Sequence, residues 1–114
     1  MNVFNFNNLT KTLEINEPEI LLVKEFADLL KRDKSKTKDR VTREFTYIYL
    51  AIDWKSPYNQ YSEHDRHDEA IADSGLTENE FNDPVFREAC RKYRRLQDSN
   101  KSIKLLEAAK RAAD

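Results

Sequence analysis

The stretch R-E-F-T-Y-I-Y-L-A-I-D-W-K-S-P-Y-N-Q-Y, residues 43–61, decides how the rest of the chain is read. It is the most apolar part of a very polar sequence, and it holds the only Trp and four of the five Tyr. As a helix, residues 40–54 place Val41, Phe45, Ile48, Tyr49 and Ile52 at i, i+4, i+7, i+8 and i+11. As a strand, Thr46, Ile48, Leu50, Ile52 and Trp54 alternate against Phe45, Tyr47, Tyr49 and Ala51. The β-branched and aromatic content favours the strand. The length, and Asp39 at the cap position, favour the helix. A lone buried strand would leave its backbone groups unpaired, so a helix is expected. It must end at Ser56-Pro57, because the residue before a proline is pushed out of the α region.

On the N-terminal side, residues 31–40 read K-R-D-K-S-K-T-K-D-R, six basic against two acidic. This is either a phosphate-contacting loop or a solvated connector; with no aromatic or Gly interleaved to stack a base, the connector is favoured. Before it, Asn16-Glu17-Pro18-Glu19 reads as a helix start, with Asn16 capping, Pro18 in the first turn and Glu19 at the box position. The helix that follows carries Ile20, Val23, Phe26, Ala27 and Leu30 on one face, widened by Leu21, Leu22 and Leu29. Lys31 and Arg32 suit its C-terminus. Residues 1–15 are Asn-rich, with Phe4 and Phe6 on one face and Leu13 and Ile15 likewise. They read as an extended arm, or a short hairpin turning near Asn7-Asn8. Such a piece is not stable alone, so it should lie across a helix or reach a neighbouring subunit.

On the C-terminal side, Ser62 caps a short acidic helix that closes at Ser74-Gly75, where the sole Gly suits a left-handed cap. Thr77-Glu78-Asn79-Glu80 is a capping box opening a brief turn near Phe81. Asp83-Pro84 starts the next helix, with Asp83 capping. There Val85, Phe86, Ala89, Tyr93 and Leu96 form one stripe, extended by Ile103, Leu106, Ala109 and Ala112. One long helix, or two broken at Asp98-Ser99-Asn100, both fit. Arg87, Arg91, Arg94, Arg95, Lys101, Lys104, Lys110 and Arg111 line the opposite side.

These readings give an all-α fold: a small bundle of four to five helices (residues 16–114, one domain) with an extended N-terminal arm (residues 1–15). A chain of 114 residues supports a single modest core. One Gly and three Pro are too few for the many tight turns of a sandwich. The apolar runs fall short of a membrane span, and the N-terminus lacks the basic and apolar regions of a signal peptide. A protein soluble and intracellular at synthesis, with no membrane partner, is expected. Cys90 is single, which excludes an internal disulfide and a Cys-based zinc site and fits a small buried thiol.

Charge is banded. The net is −1, yet residues 60–83 carry one Lys/Arg against eight Asp/Glu, and 84–114 carry nine against four. Residues 31–55 carry eight against four. Such bands either neutralise each other within the fold or between subunits, or stay as solvated faces. His64 and His67, at i and i+3 with Asp68 beyond, are the one stretch resembling metal chemistry. Their spacing departs from the zinc-protease pattern and the chain has no further His. No Gly-rich phosphate loop or nucleophile elbow is present. No catalytic, cofactor-binding or metal-ligating residue is therefore assigned, and no cofactor is expected.

Residues 45–53, followed by Ser56-Pro57-Tyr58 and by the C-terminal S-I-K-L-L-E-A-A-K of residues 102–110, resemble small structural proteins of tailed bacteriophages, the crAss-like and related phages of Bacteroidetes in particular. The resemblance implies a virion component made in the bacterial host cytoplasm: a ring, neck, head-to-tail connector or tail subunit working by repeated assembly with itself and other virion proteins. It carries no functional residues. The residues expected at an interface come from aromatic clustering and charge: Phe4, Phe6, Trp54, Tyr58 and Tyr61 as anchors, Asp65, Asp68 and Glu69 as the acidic side, and Arg87, Arg91, Arg94 and Arg95 as the basic side. A nucleic-acid-binding accessory protein using the basic faces at 31–43 and 87–111 is the alternative.

Overall fold

In a computed structural model, residues 4–7, 9–10, 12–15 and 20–113 are described, those at 12 and 99–113 by backbone alone. The chain runs β1 (Phe4–Asn7), β2 (Thr12–Ile15), α1 (Lys24–Arg32), α2 (Asp39–Ile52), α3 (Glu63–Ser74), α4 (Glu78–Phe81) and α5 (Pro84–Ala113). The result is a mostly helical small domain with a two-stranded sheet.

The ambiguous stretch is a helix, and its surroundings explain the ambiguity. Val41, Glu44, Phe45, Thr46, Tyr47, Ile48, Tyr49 and Leu50 are all buried, so α2 is covered almost all round and its sequence carries no clean stripe. Helices α3 and α5 and strand β2 pack on it. The strand-favouring threonines are accommodated through their hydroxyls: Thr42 donates to the Lys38 carbonyl at 2.8 Å and Thr46 to the Thr42 carbonyl at 2.7 Å. Asp39 does not cap the helix. Lys38 stands at the cap in the left-handed region (φ 55°), with no side-chain cap bond. Asp33, six residues further back, takes over: one carboxylate oxygen accepts from Val41 N at 3.0 Å. The other accepts from the Ser35 amide at 3.0 Å and hydroxyl at 2.7 Å. These bonds, the Ser35 hydroxyl first, lower the Asp33 carboxyl to about 2.

The all-α expectation is corrected by the N-terminus. Residues 4–15 hold an antiparallel hairpin, with Phe4 opposite Ile15 and Phe6 opposite Leu13, turned by Asn7, whose side chain accepts from Leu9 N at 2.9 Å and Thr10 N at 3.3 Å. It folds onto its own chain. Phe4 is 6% exposed, with ring centroids 5.4–5.9 Å from those of Tyr93, Phe45 and Phe26. The physical reason is area: a two-stranded ribbon is marginal alone, and this one gains stability by placing an aromatic ring in the core.

The helix start read at Asn16 to Glu19 lies outside the described residues. Within them, α1 begins at Lys24, after turns at residues 21–23 that leave Leu21 and Leu22 exposed (51% and 73%) while Ile20, Val23, Phe26 and Leu29 are buried. The downstream signals all hold. Ser62 accepts from Asp65 N, Gly75 takes φ 74°, Thr77 and Glu80 form the reciprocal box, and Asp83 accepts from Val85 N at 2.8 Å. Helix α5 is continuous through Asp98-Ser99-Asn100. It runs antiparallel to α1, which places Arg32 at Asp83 and Phe26 at Tyr93. It runs parallel to α2, with Tyr47 at Phe86 and Asp53 at Tyr93.

Candidate functional site

Three arginines and three carboxylates meet where α1, α2, α4 and α5 join. The Arg32 guanidinium bonds Glu44 at 2.6 Å and Asp83 at 2.8 Å. Arg40 reaches Asp83 at 2.8 Å and Glu44 at 3.7 Å, and Arg43 grips Glu80 with two bonds, 2.7 and 3.2 Å. Glu44 is fully buried. Burial, opposed by Arg32, raises its carboxyl above the usual range. Arg43 lowers Glu80; for Asp83, burial pulls upward but the bonds from Val85, Phe86 and Arg32 win and lower it. This cluster takes Arg32, Arg40 and Arg43 of the basic band at 31–43 into pairs within the chain, while Lys31, Lys34 and Lys36 stay exposed. Sequence reasoning named the bands but missed the pairs. The i, i+4 spacing of Arg40 and Glu44, with Glu44 on the apolar face, was the available signal.

The C-terminus of α2 is closed by side chains from elsewhere. Arg66 donates to the Leu50 carbonyl at 2.9 Å and the Asp53 carbonyl at 2.6 Å, and the Ser56 hydroxyl donates to Leu50 O at 2.7 Å. Buried Asp53 accepts from the Tyr93 hydroxyl and, at 2.8 Å, from Lys55 N. Burial raises the Tyr93 hydroxyl far above its ordinary value.

Two charged faces remain on the outside. On α3, Glu63, Asp65, Asp68, Glu69 and Asp73 are exposed; on α5, Arg87, Arg91, Arg94 and Arg95 are exposed. Among the described residues no ion pair joins the two faces: His64 pairs with Asp68 at 3.3 Å within α3, and Arg91 with Glu88 within α5. Arg87 lies over the Phe81 ring, 4.6 Å from its centroid.

The aromatic anchors divide. Trp54 and Tyr61 are 40% and 49% exposed, beside half-buried Tyr58, whose hydroxyl donates to Asp73 and whose ring lies 5.2 Å from that of Tyr61. Phe6 is half-buried, stacked on Tyr49 at 5.1 Å. Phe4, by contrast, has its ring enclosed by its own core.

Between α3 and α5, floored by α2, runs a groove of about 710 Å³ lined by Tyr47, Ile52, Asn59, Tyr61, His67, Arg94 and Gln97 among others. It continues into a second cleft of about 400 Å³ that includes Trp54 and Gln60. His67 sits in the wall with Nδ1 2.7 Å from the Tyr47 hydroxyl and its ring edge-on to Phe81. Among the described residues no group of three His, Cys, Asp or Glu side chains is arranged to hold a metal. Cys90 is buried, and burial pushes its thiol up to about 12. No described helix is long and apolar enough to cross a membrane.

No protein family, curated protein or solved structure matches this chain.

Proposed function

We propose that this chain is a structural subunit of a symmetric protein assembly, a small helical bundle acting through protein–protein contacts without catalysis. One observation carries the reading: α3 and α5 expose faces of opposite sign that do not pair with each other within the described residues. A face of each sign on one subunit suits a head-to-tail contact, and such a contact closes into a ring when its rotation allows. The acidic side is Asp65, Asp68 and Glu69, and the basic side is Arg87, Arg91, Arg94 and Arg95. The exposed Trp54 and Tyr61, with Tyr58, supply apolar area beside these charges, as the anchors of protein interfaces do. The sequence resemblance points the same way, to a ring, neck, head-to-tail connector or tail component of a tailed-phage virion.

Light scattering at low and moderate salt tests this reading. A discrete multimer that weakens with salt supports it, and reversal of Asp65, Asp68 and Glu69 to Lys should return the chain to monomer. A multimer untouched by that reversal overturns the contact.

A second reading, nucleic-acid binding, is favoured by the four arginines exposed on one continuous helix. It predicts affinity for DNA that falls steeply with salt and with Arg87→Ala, Arg91→Ala or Arg94→Ala; absence of binding at low salt removes it.

A further inference from the structure

A small pocket of about 70 Å³ lies where α5 meets α2 and α4, lined by Tyr47, Phe81, Arg87, Cys90, Arg91 and Arg94. Tyr47 and Cys90 are its buried members, 3% and 6% exposed. The three arginines are exposed and stand at i, i+4 and i+7 of one helix. None of the six lining residues is a carboxylate. The larger groove differs, because there Glu63 and Asp98 offset Arg66 and Arg94. Arginines elsewhere in the fold differ too: Arg32, Arg40 and Arg43 meet carboxylates, and Arg66 closes the end of α2. Like charges a turn apart repel on a helix, and an anion held among them relieves that repulsion.

Two of the three guanidiniums are already held in place, which lowers the cost of ordering them around a ligand. Arg87 lies over the Phe81 ring, and Glu88, outside the lining, accepts from Arg91 Nε at 2.9 Å. Arg87 and Arg94 make no ion pair among the described residues. Three guanidiniums less the one Glu88 carboxylate leave a net +2 at the pocket. That charge is felt by the buried members. Arg94 and Arg87 oppose the burial that raises both the Tyr47 hydroxyl and the Cys90 thiol. Arg91 adds to this at Cys90, where buried Glu44 acts the other way.

Size and charge together select the ligand. Drug-sized molecules need about 300 Å³ or more, whereas this pocket has roughly the room of two water molecules. A phosphate group fits that room, and its charge of about −1.5 to −2 at pH 7 matches the net +2. Guanidinium forks suit its oxygens, which a planar carboxylate with one charge does not supply in the same number. We propose that this pocket binds a phosphate dianion, free or as the terminal phosphate of a small molecule, with Arg87 and Arg94 clasping its oxygens and Arg91 closing the third side. Every residue of the site comes from one copy of the chain, so it rests on neither self-assembly nor nucleic acid.

The test is an NMR titration of the full chain, at constant moderate ionic strength, with inorganic phosphate, glycerol 3-phosphate, acetate and a six-nucleotide oligo-dT. Phosphate should saturably shift the Nε–H signals of Arg87 and Arg94, and acetate at the same concentrations should not. The tighter of phosphate and glycerol 3-phosphate tells the free ion from the monoester, and either supports the site. Arg94→Ala should weaken binding about tenfold, the scale of one charge-assisted bond. Arg94→Lys should recover only part of that loss, since a point charge lacks the fork. Arg95→Ala, on the same helix outside the lining, should change binding little. Absence of saturable shifts, acetate binding as tightly as phosphate, or equal losses in Arg94→Ala and Arg95→Ala would each reduce the pocket to a cationic surface and overturn the proposal. Oligo-dT binding more tightly at the same residues would give them to a nucleic-acid backbone and overturn it as well. Light scattering on the same samples keeps assembly apart: a monomer whose arginines shift loses only the self-assembly reading, and a multimer whose arginines do not shift loses only this one.

Discussion

The cluster around Glu44 and the outer faces of α3 and α5 are built from the same residue types and serve opposite ends. In the cluster, Arg32 joins α1 to Asp83 at the start of α5, and Arg43 joins α2 to Glu80 of α4. Removing one partner there strands a desolvated charge. On the outer faces each charge keeps its water, and neighbouring pairs contribute little to stability. A charge's contribution is therefore set by its surroundings and not by its identity. The first set positions the helices, and the second is left for whatever the protein meets.

Four outcomes separate these two sets, beginning with the largest. Glu44→Ala leaves Arg32 and Arg40 without their buried counter-charge and should cost about 3–5 kcal/mol in denaturant unfolding. A loss below about 1 kcal/mol would mean the cluster is no more coupled than a surface pair.

Acid comes next. Asp33, Glu80 and Asp83 have carboxyls lowered in the folded state, so their stabilisation is complete above their ordinary values near 4 and is lost as pH falls. For Asp33 the loss runs from 3.8 down through about 2 and amounts to something on the order of 2 kcal/mol. Glu44 has the opposite sign: its raised carboxyl takes up a proton more readily when folded, so this group gains stability as pH drops through its folded value. Unfolding free energy measured between pH 5 and pH 2 should therefore fall more steeply in Glu44→Gln than in the unaltered protein.

Arg40→Ala should be milder. Its side chain is partly exposed and shares Asp83 with Arg32, so about 1 kcal/mol is expected. The smallest effect belongs to the outer face: Asp65, Asp68 and Glu69 changed together to Lys should shift monomer stability by only about 0.5 kcal/mol while abolishing the proposed multimer. If this triple change unfolded the chain, the distinction between the two sets would fail.

The aromatic anchors show the same sorting. Phe4 and Trp54 are equally apolar in a sequence pattern, yet one lies within a ring cluster and the other at the rim of a groove. Nothing in the spacing of residues 4–7 tells whether the hairpin's Phe face meets its own core or another's, because the surface it covers is made by α1, α2 and α5.

What the sequence by itself determined are the features whose two ends lie within a turn of each other. The Ser62, Thr77–Glu80 and Asp83 caps and the left-handed Gly75 all depend on contacts across a few residues, so residue type and spacing specify them, whereas α2 stops at Ile52, ahead of the expected Ser56-Pro57. Tertiary structure decided the rest. It made α2 a helix despite its strand-like composition, because α3, α5 and β2 cover it and no strand lies alongside to pair with it among the described residues. It replaced the expected Asp39 cap with Asp33, and it brought Arg32 to Asp83 across 51 positions of sequence. Those pairings follow from how whole helices stack, and the strength of each depends on the water their packing removes.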